Sequence, residues 1–308
     1  MTVRSRVRPL VFGELLFDTY PDGRRVLGGA PFNVAWHLRG FGHDPLLVSR
    51  IGRDDPGQQA RRSMQRWGLD TTGIQTDPHR PTGRVEVTLE GGVPEFRIAP
   101  RQAYDAIDSG EALRALAGQR IALVYHGTLA LREPSNDRVL TELIGETGAP
   151  VFLDVNVRQP WWNPEAFHVL ADRATWLKAS VEELPQLGLD ETDPGAAAAA
   201  LVERHHLAAA IVTGGNAGAW YADGSTVEHA RAVPLAAAAD TVGAGDAFSA
   251  VCIHGILSHW SPSTILAQAN AFAAEICQRP GAVTDDRNLY DRLQGGWRAW
   301  ERRQHTPS

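Results

Sequence analysis

The chain has 308 residues, 43% of them hydrophobic and 21% charged, an ordinary globular composition with enough apolar content for a large core. Its 30 basic and 36 acidic side chains leave a net charge of -6 with no polybasic run, which argues against nucleic acid or an anionic membrane surface as a partner. Two cysteines, Cys252 and Cys277, each inside an apolar stretch, offer no disulfide framework and no cysteine zinc site, and read as two buried thiols in a reducing cytoplasm.

At the N-terminus Arg4, Arg6 and Arg8 precede an apolar run broken at Glu14 and Asp18, with no small-residue cleavage site after it. Pro9 to Gly13 is therefore read as a buried first strand and not as a targeting segment. No stretch reaches the roughly 18 uncharged apolar residues of a bilayer span. Leu16 to Val26 alternates apolar and polar residues around the turn Pro21-Asp22-Gly23, the mark of half-exposed antiparallel strands. A helix over Asn33 to Gly40, a strand over Leu46 to Ile51 and a helix over Gly57 to Trp67 follow. Gly83 to Ile98 alternates again, with Gly91-Gly92 as its turn.

Beyond it come a helix over Gly110 to Leu116, a strand over Ile121 to Tyr125, a helix over Ser135 to Gly145 and a strand over Val151 to Val155. The pattern continues with a helix over Pro164 to Ala171, a strand over Trp176 to Lys178, helices over Val181 to Leu187 and Pro194 to His205, and a strand over Ala208 to Thr213. Strands and helices alternating in this way predict a mostly parallel sheet covered on both faces, a doubly wound α/β sandwich. The segment Trp297 to Ser308 is charged and weakly patterned, and a frayed last helix is the expectation there.

The most informative stretch is Asp240-Thr241-Val242-Gly243-Ala244-Gly245-Asp246-Ala247-Phe248, which runs into a helical apolar pattern at Phe248, Val251, Cys252 and Ile256. Gly243 and Gly245 let the backbone approach an anion, and the first turn of a helix offers free N–H groups and the positive end of its dipole. Asp246 in such a phosphate cradle would repel its ligand unless it is a general base, held next to the attacking hydroxyl and hence to the transferred phosphoryl group. The alternative is an aspartate that only caps the helix.

Other nucleotide motifs fail on residue type. Lys178, the only lysine, stands in Leu177-Lys178-Ala179-Ser180 with no glycine-rich loop before it, which fits neither a Walker A loop nor a protein kinase. After the first strand comes Glu14-Leu15-Leu16, which cannot form the glycine turn of a dinucleotide site.

Gly28-Gly29-Ala30-Pro31-Phe32-Asn33-Val34-Ala35 and Asp240 to Phe248, in this order, resemble the two motifs of the ribokinase, or pfkB, family of carbohydrate kinases. The resemblance covers essentially the whole chain and is nearest to the fructokinases. It implies a ribokinase-like three-layer α/β/α sandwich, with 1–15, 28–80 and 101–308 as the core and 16–27 and 81–100 as a small β lid over the sugar. It also implies Asp246 as the base and Gly243, Ala244 and Gly245 as an anion hole. Asp18, Gly28, Gly29 and Asn33 would bind the sugar, together with Asp154 and Asn156 of Asp-Val-Asn-Val-Arg-Gln-Pro-Trp-Trp.

Arg158 in the same stretch is the cation proposed for the transferring phosphoryl group, in the absence of a suitable lysine; its alternative is an ion pair with Asp154. For ATP the resemblance points to Lys178, Ser180, Thr213, Gly215 and Gly218, with Asn270 and Gly281-Ala282 closing the adenine pocket. Ser180-Val181-Glu182-Glu183 resembles the Asn-x-x-Glu motif, with serine in place of the commoner asparagine. Glu183 would hold Mg2+ through water, and its alternative is an exposed glutamate at a helix start. Asp240 would stand beside a monovalent cation, K+. Pro81 to Val87 and Ala103-Tyr104-Asp105 are particularly like fructokinases.

These readings lead to an ATP-dependent kinase of a small sugar, D-fructose first, acting as a cytoplasmic homodimer paired through the lid. 2-Keto-3-deoxygluconate is the second substrate, its carboxylate met by Arg84, Arg97, Arg101 or Arg158. A non-catalytic sugar-binding regulator is the reading from another class.

Overall fold

A computed structural model describes residues 7–90, 93–235 and 240–304. Arg4, Arg6, the Gly91-Gly92 turn and the last four residues of the C-terminal segment lie outside them. The chain opens with strand β1 (Val7–Phe12), the hairpin β2 (Leu16–Thr19) and β3 (Arg25–Gly28), and helix α1 (Ala30–Gly40). Then come β4 (Leu46–Gly52), α2 (Asp55–Trp67), β5 (Ile74–Asp77), and a second hairpin of β6 (Gly83–Glu90) and β7 (Val93–Ile98). Helix α3 (Ser109–Leu116), β8 (Arg120–His126), α4 (Pro134–Thr147), β9 (Val151–Asp154), α5 (Pro164–Asp172) and β10 (Trp176–Ser180) continue the alternation. The remainder is α6 (Pro194–His205), β11 (Ala209–Thr213), β12 (Ala219–Ala222), β13 (Val227–Ala230), α7 (Ala244–Leu257), α8 (Pro262–Cys277) and α9 (Arg287–Gln304).

The main sheet has nine strands in the order β13-β12-β11-β10-β9-β8-β1-β4-β5. From β11 to β5 every neighbour is parallel, and β12 and β13 are added antiparallel at one edge. Its central strands carry apolar residues on both faces over most of their length because both faces are covered. Leu10 and Phe12 of β1 pack with Leu46 and Val48 of β4 against α3 and α4, whereas Val11 and Leu47 face a core shared with α1, α2, α7, α8 and α9. Leu153, Leu177 and Val212 pack against α5 and α6 in a third cluster. The second sheet, β3-β2-β6-β7, consists of the two predicted hairpins. Each hairpin is antiparallel, but the middle strands β2 and β6 run parallel to one another.

One expectation changes and three short strands are added. Val181 to Leu187 is not an α-helix: the Glu183 carboxylate takes the Ser180 N–H at 2.7 Å, only a short 3-10 turn forms over Leu184–Leu187, and left-handed Gly188 ends it. The four-residue strands β5, β12 and β13 carry too short an apolar run to stand out in the sequence. The C-terminal segment is the end of an 18-residue helix, anchored by Trp297, whose indole lies 5.0 Å from the Phe41 ring and donates to Gln268 at 2.8 Å. Cys252 and Cys277 are buried free thiols. Among the described residues no helix is long and apolar enough to cross a membrane.

Candidate active site

The loop before α7 is built on one left-handed residue, Gly243 (φ 80°), which is also the helix N-cap and provides no side-chain cap. A Cβ at this position would stand 2.3 Å from the Ala282 Cβ, so only glycine fits against the Gly281-Ala282 turn. The first amides of α7 have no i−4 carbonyl inside the helix, and with no capping side chain they are suited to an anion. Asp240 stabilises the approach to this turn, accepting from Val242 N at 3.0 Å and Gly281 N at 3.4 Å.

Asp246 sits in the first turn of α7 and accepts from Asn33 Nδ2 of α1 at 2.7 Å. Burial and the Asp154 carboxylate raise its pKa to about 6, against the opposing pull of the Asn33 bond, Lys178 and Arg158. It does not act as an Asx cap, since the cap position belongs to Gly243. Gly29 (φ 107°) lets the chain turn into α1 close to Glu14: a Cβ there would meet the Glu14 carbonyl oxygen at 2.7 Å. Beside it, a Cβ on Gly28 would lie 3.8 Å from Asp18 Oδ2 and 3.9 Å from Asn33 Oδ1. Asp18, Gly28, Gly29 and Asn33 are thus gathered on the Asp246 side of the site. Burial lifts the Asp18 pKa to about 6, with Arg158 working against it.

Parallel register puts Asp154 at the end of β9 next to Lys178 of β10. Lys178 Nζ donates to Asp154 Oδ1 at 2.9 Å, while Oδ2 accepts from Ser249 Oγ at 2.7 Å and Tyr125 OH at 3.2 Å. The same ammonium would be 3.5 Å from a Cβ on Gly245, so it lies under the anion loop. Burial alone would lower the Lys178 pKa, but Asp154, Glu183 and Asp246 together outweigh it and hold the pKa above its usual value. The sequence argument gave the phosphoryl cation to Arg158 for want of a lysine. Strand pairing brings Lys178 to the loop as a second cation in the same cleft as Arg158, an approach that no local motif announces.

Arg158 is exposed and donates to its own neighbour's carbonyl, Val157 O, at 3.0 Å. The alternative of an ion pair with Asp154 is not what forms, because Lys178 takes that carboxylate. Glu183 is no exposed helix-start residue either: its two oxygens accept Val157 N at 2.6 Å and Ser180 N at 2.7 Å, joining the ends of β9 and β10.

A cleft of about 370 Å³ opens at the carboxyl ends of these strands, where open α/β sheets bind ligands. Asn156, Arg158, Lys178, Ser180 and Glu183 line one part of it. Thr213, Gly215, Gly218, Ala244, Gly245 and Asn270 line the rest. Asn156 holds a left-handed backbone (φ 45°). Asn270 uses its amide to fasten the end of β13, donating to Ala230 O at 3.1 Å and Arg231 O at 3.2 Å. Asp240 and Asp246 are both outside the cleft lining; Asp246 directly follows Gly245, which lines it, and is joined to Asn33.

Sequence reasoning missed Glu14, which had served only as the charge that breaks an apolar run. It is 2% exposed with Oε2 unpartnered. Burial raises its pKa to about 7, and it feels the charges of Arg158 and Asp246. A glutamate placed between the apolar runs Leu10 to Phe12 and Leu15 to Phe17 was the available signal.

A buried aspartate, an uncapped helix start, a buried lysine and a strand-end cleft are parts that phosphoryl transfer can use. Residues 16–288 match the pfkB family carbohydrate kinases. This chain is a pfkB family carbohydrate kinase. The kinase is 33% identical over 281 residues to the fructokinase of Klebsiella pneumoniae, covering 87% of this chain and 90% of that protein. It also resembles the uncharacterised sugar kinase PH1459 of Pyrococcus horikoshii solved with ATP, at 26% identity and a TM-score of 0.75, with 89% of this chain and 93% of that one covered. A fructokinase double mutant from Vibrio cholerae O395, bound to fructose, ADP and potassium ion, shares the fold at 23% identity and a TM-score of 0.78 over 93% of this chain and 98% of that one. The ribokinase-like sandwich and the kinase class are thereby shown: the protein is an ATP-using phosphotransferase with a sugar hydroxyl as acceptor.

Proposed function

We propose that this kinase phosphorylates D-fructose to fructose 6-phosphate with Asp246 as general base. The observation that carries the reading is Asp246 itself, bonded to Asn33 and held with a raised pKa one residue from Gly245. The sugar hydroxyl gives its proton to Asp246 as its oxygen attacks the γ-phosphorus, and the bond to the β–γ bridging oxygen breaks to leave ADP. The amides around Gly243, Ala244 and Gly245 take the negative charge of the transferring group, with Lys178 beneath them and Arg158 closing from the exposed side. Asp18, Gly28, Gly29, Asn33, Asp154 and Asn156 are assigned to the acceptor and its surroundings. Ser180, Thr213, Gly215, Gly218 and Asn270 are assigned to the nucleotide.

Among the described residues no three acidic, histidine or cysteine side chains gather into a metal site, and both Glu183 oxygens already accept backbone N–H groups. This donor set fits Mg2+ that arrives on the nucleotide with its own water, contacted by Glu183 through that water. When bound, the ion neutralises phosphate charge. Asp240, tied to Gly281, is proposed to stand beside a K+ site that stiffens the anion loop.

The β2-β3 and β6-β7 hairpins, within 16–27 and 81–100, are proposed as a lid that excludes water from the acceptor, over a core of 1–15, 28–80 and 101–308. Phe96 on β7 is 49% exposed, which supports pairing of two lids in a cytoplasmic homodimer; sedimentation at micromolar concentration tests it.

The fructose reading is tested by ADP release from MgATP with fructose, 2-keto-3-deoxygluconate, ribose, tagatose and a nucleoside, with and without K+. Selective turnover of fructose is expected. Preference for another acceptor would overturn fructose and keep the mechanism; silence across the panel despite sugar binding would favour a non-catalytic binder.

A further inference from the structure

Away from the strand ends, a second cleft of about 530 Å³ is lined by Trp36, Arg66, Trp67, Arg279, Thr284 and Arg287, among others. That volume is in the range of small-molecule sites. Arg279 is neutralised by Glu275 at 2.8 Å and Asp286 at 3.3 Å. Arg66 and Arg287, by contrast, have no carboxylate within ion-pair distance among the described residues. Asp285 also lines the cleft, so three guanidinium groups face one acid there that is not already paired.

The wall behind these arginines is rigid. Trp36 and Trp67 stack at 5.1 Å and 4°, the Trp67 indole donates to Trp36 O at 3.0 Å and the Trp36 indole to Thr284 O at 2.8 Å. Arg287 is held over the Trp67 ring at 4.8 Å and donates to Trp67 O at 3.3 Å. A guanidinium fixed in this way loses little freedom when an anion arrives.

We propose that this cleft is a second anion site, which takes a small phosphorylated molecule between Arg66 and Arg287 and is coupled to the loop at Gly243. Phosphate suits it because several oxygens on one centre can satisfy two planar, charged donors at once. The coupling runs through the segment from Arg279 to Asp285. Its cleft side carries Arg279 and Thr284. Its other contacts are the Ala282 carbonyl against His37 Nε2 at 3.1 Å, Gly281 N on Asp240 at 3.4 Å, and Ala282 against the space where a Gly243 Cβ would stand. An anion that fixes one side of this segment biases the other, where the nucleotide phosphates are read.

The test is titration calorimetry on the full chain with its nucleotide cleft saturated by magnesium and the non-hydrolysable analogue AMP-PNP. The probes are glycerol 3-phosphate, inorganic phosphate and neutral glycerol. One site for a phosphorylated probe and none for glycerol is expected, with the ester tighter than phosphate if a metabolite is the ligand and equal to it if the free ion is. Arg66→Ala removes an exposed side chain and leaves the fold intact; it should weaken binding at least about tenfold, the loss of one charge-assisted contact. A silent wild type at about 10 mM probe, or an unchanged affinity in both Arg66→Ala and Arg287→Ala, would overturn the site. In a separate titration, saturating glycerol 3-phosphate should change AMP-PNP affinity at least about twofold, a modest coupling; no change overturns the coupling. None of these readouts depends on the identity of the acceptor sugar.

Discussion

Asp246 stands where its own charge is disfavoured, which suits the base role proposed for it. With a folded pKa of about 6 against its ordinary 3.8, its contribution to stability is greatest below pH ~4 and is lost as pH rises through 6. Asp246→Asn should therefore be at least as stable as the wild type at pH 8, by about 1–3 kcal/mol for a shift of this size, with the difference vanishing near pH 4; denaturant melts at the two pH values check this. As a base, Asp246 must be ionised, so kcat/KM should fall about tenfold per pH unit below its pKa. Glu14, with its pKa raised to about 7, is already protonated where Asp246 titrates, so Glu14→Gln should leave the acid limb of the kcat/KM profile in place. Lys178→Met should cost about 3–5 kcal/mol of stability, because it leaves Asp154 buried and unpaired. It should also lower kcat by about two orders of magnitude through loss of phosphoryl charge stabilisation, measured in parallel by melting and turnover. Asp246, Gly243 and Gly245 were legible in the sequence because a helix start that binds an anion is built from consecutive residues. Glu14 and the position of Lys178 under Gly245 were not, because both depend on chain segments far apart in sequence meeting in the core.

At the scale of elements, the long apolar strands and capped helices announced themselves, since each carries its own periodicity. Asp54 caps α2 by accepting Gly57 N at 2.9 Å and also takes Thr82 N at 2.8 Å, a second bond that fastens the start of β6 and that no local pattern shows. The four-residue strands were missed, and the turn after β10 misread, for the opposite reason: their conformation is set by partners, β12 by pairing with β11 and the turn by the Glu183 carboxylate. The start of α7 is the most demanding junction. Gly243→Ala would force a side chain onto Ala282 and strain a positive φ, so we expect destabilisation of about 1–3 kcal/mol. ATP affinity should fall together with kcat, read by nucleotide titration and turnover on the same preparation.

Across the whole molecule, the parallel sheet fixes where chemistry can occur. Lys178, Ser180 and Thr213 reach one cleft, with Asp154 buried behind Lys178, because β9, β10 and β11 end together, and α1 and α7, packed in one core, bring Asn33 to Asp246. The two-layer cover of the sheet followed from composition and alternation, whereas the parallel pairing of β2 with β6 that builds the small sheet joins distant segments and left no local signal. The most direct measurement compares wild type and Asp246→Asn in coupled ADP release from MgATP with fructose at pH 8, alongside ATP affinity by calorimetry. The account predicts selective fructose turnover in the wild type and a loss of at least about a hundredfold in kcat in the variant, with ATP affinity essentially kept. Near-full turnover by Asp246→Asn would contradict it.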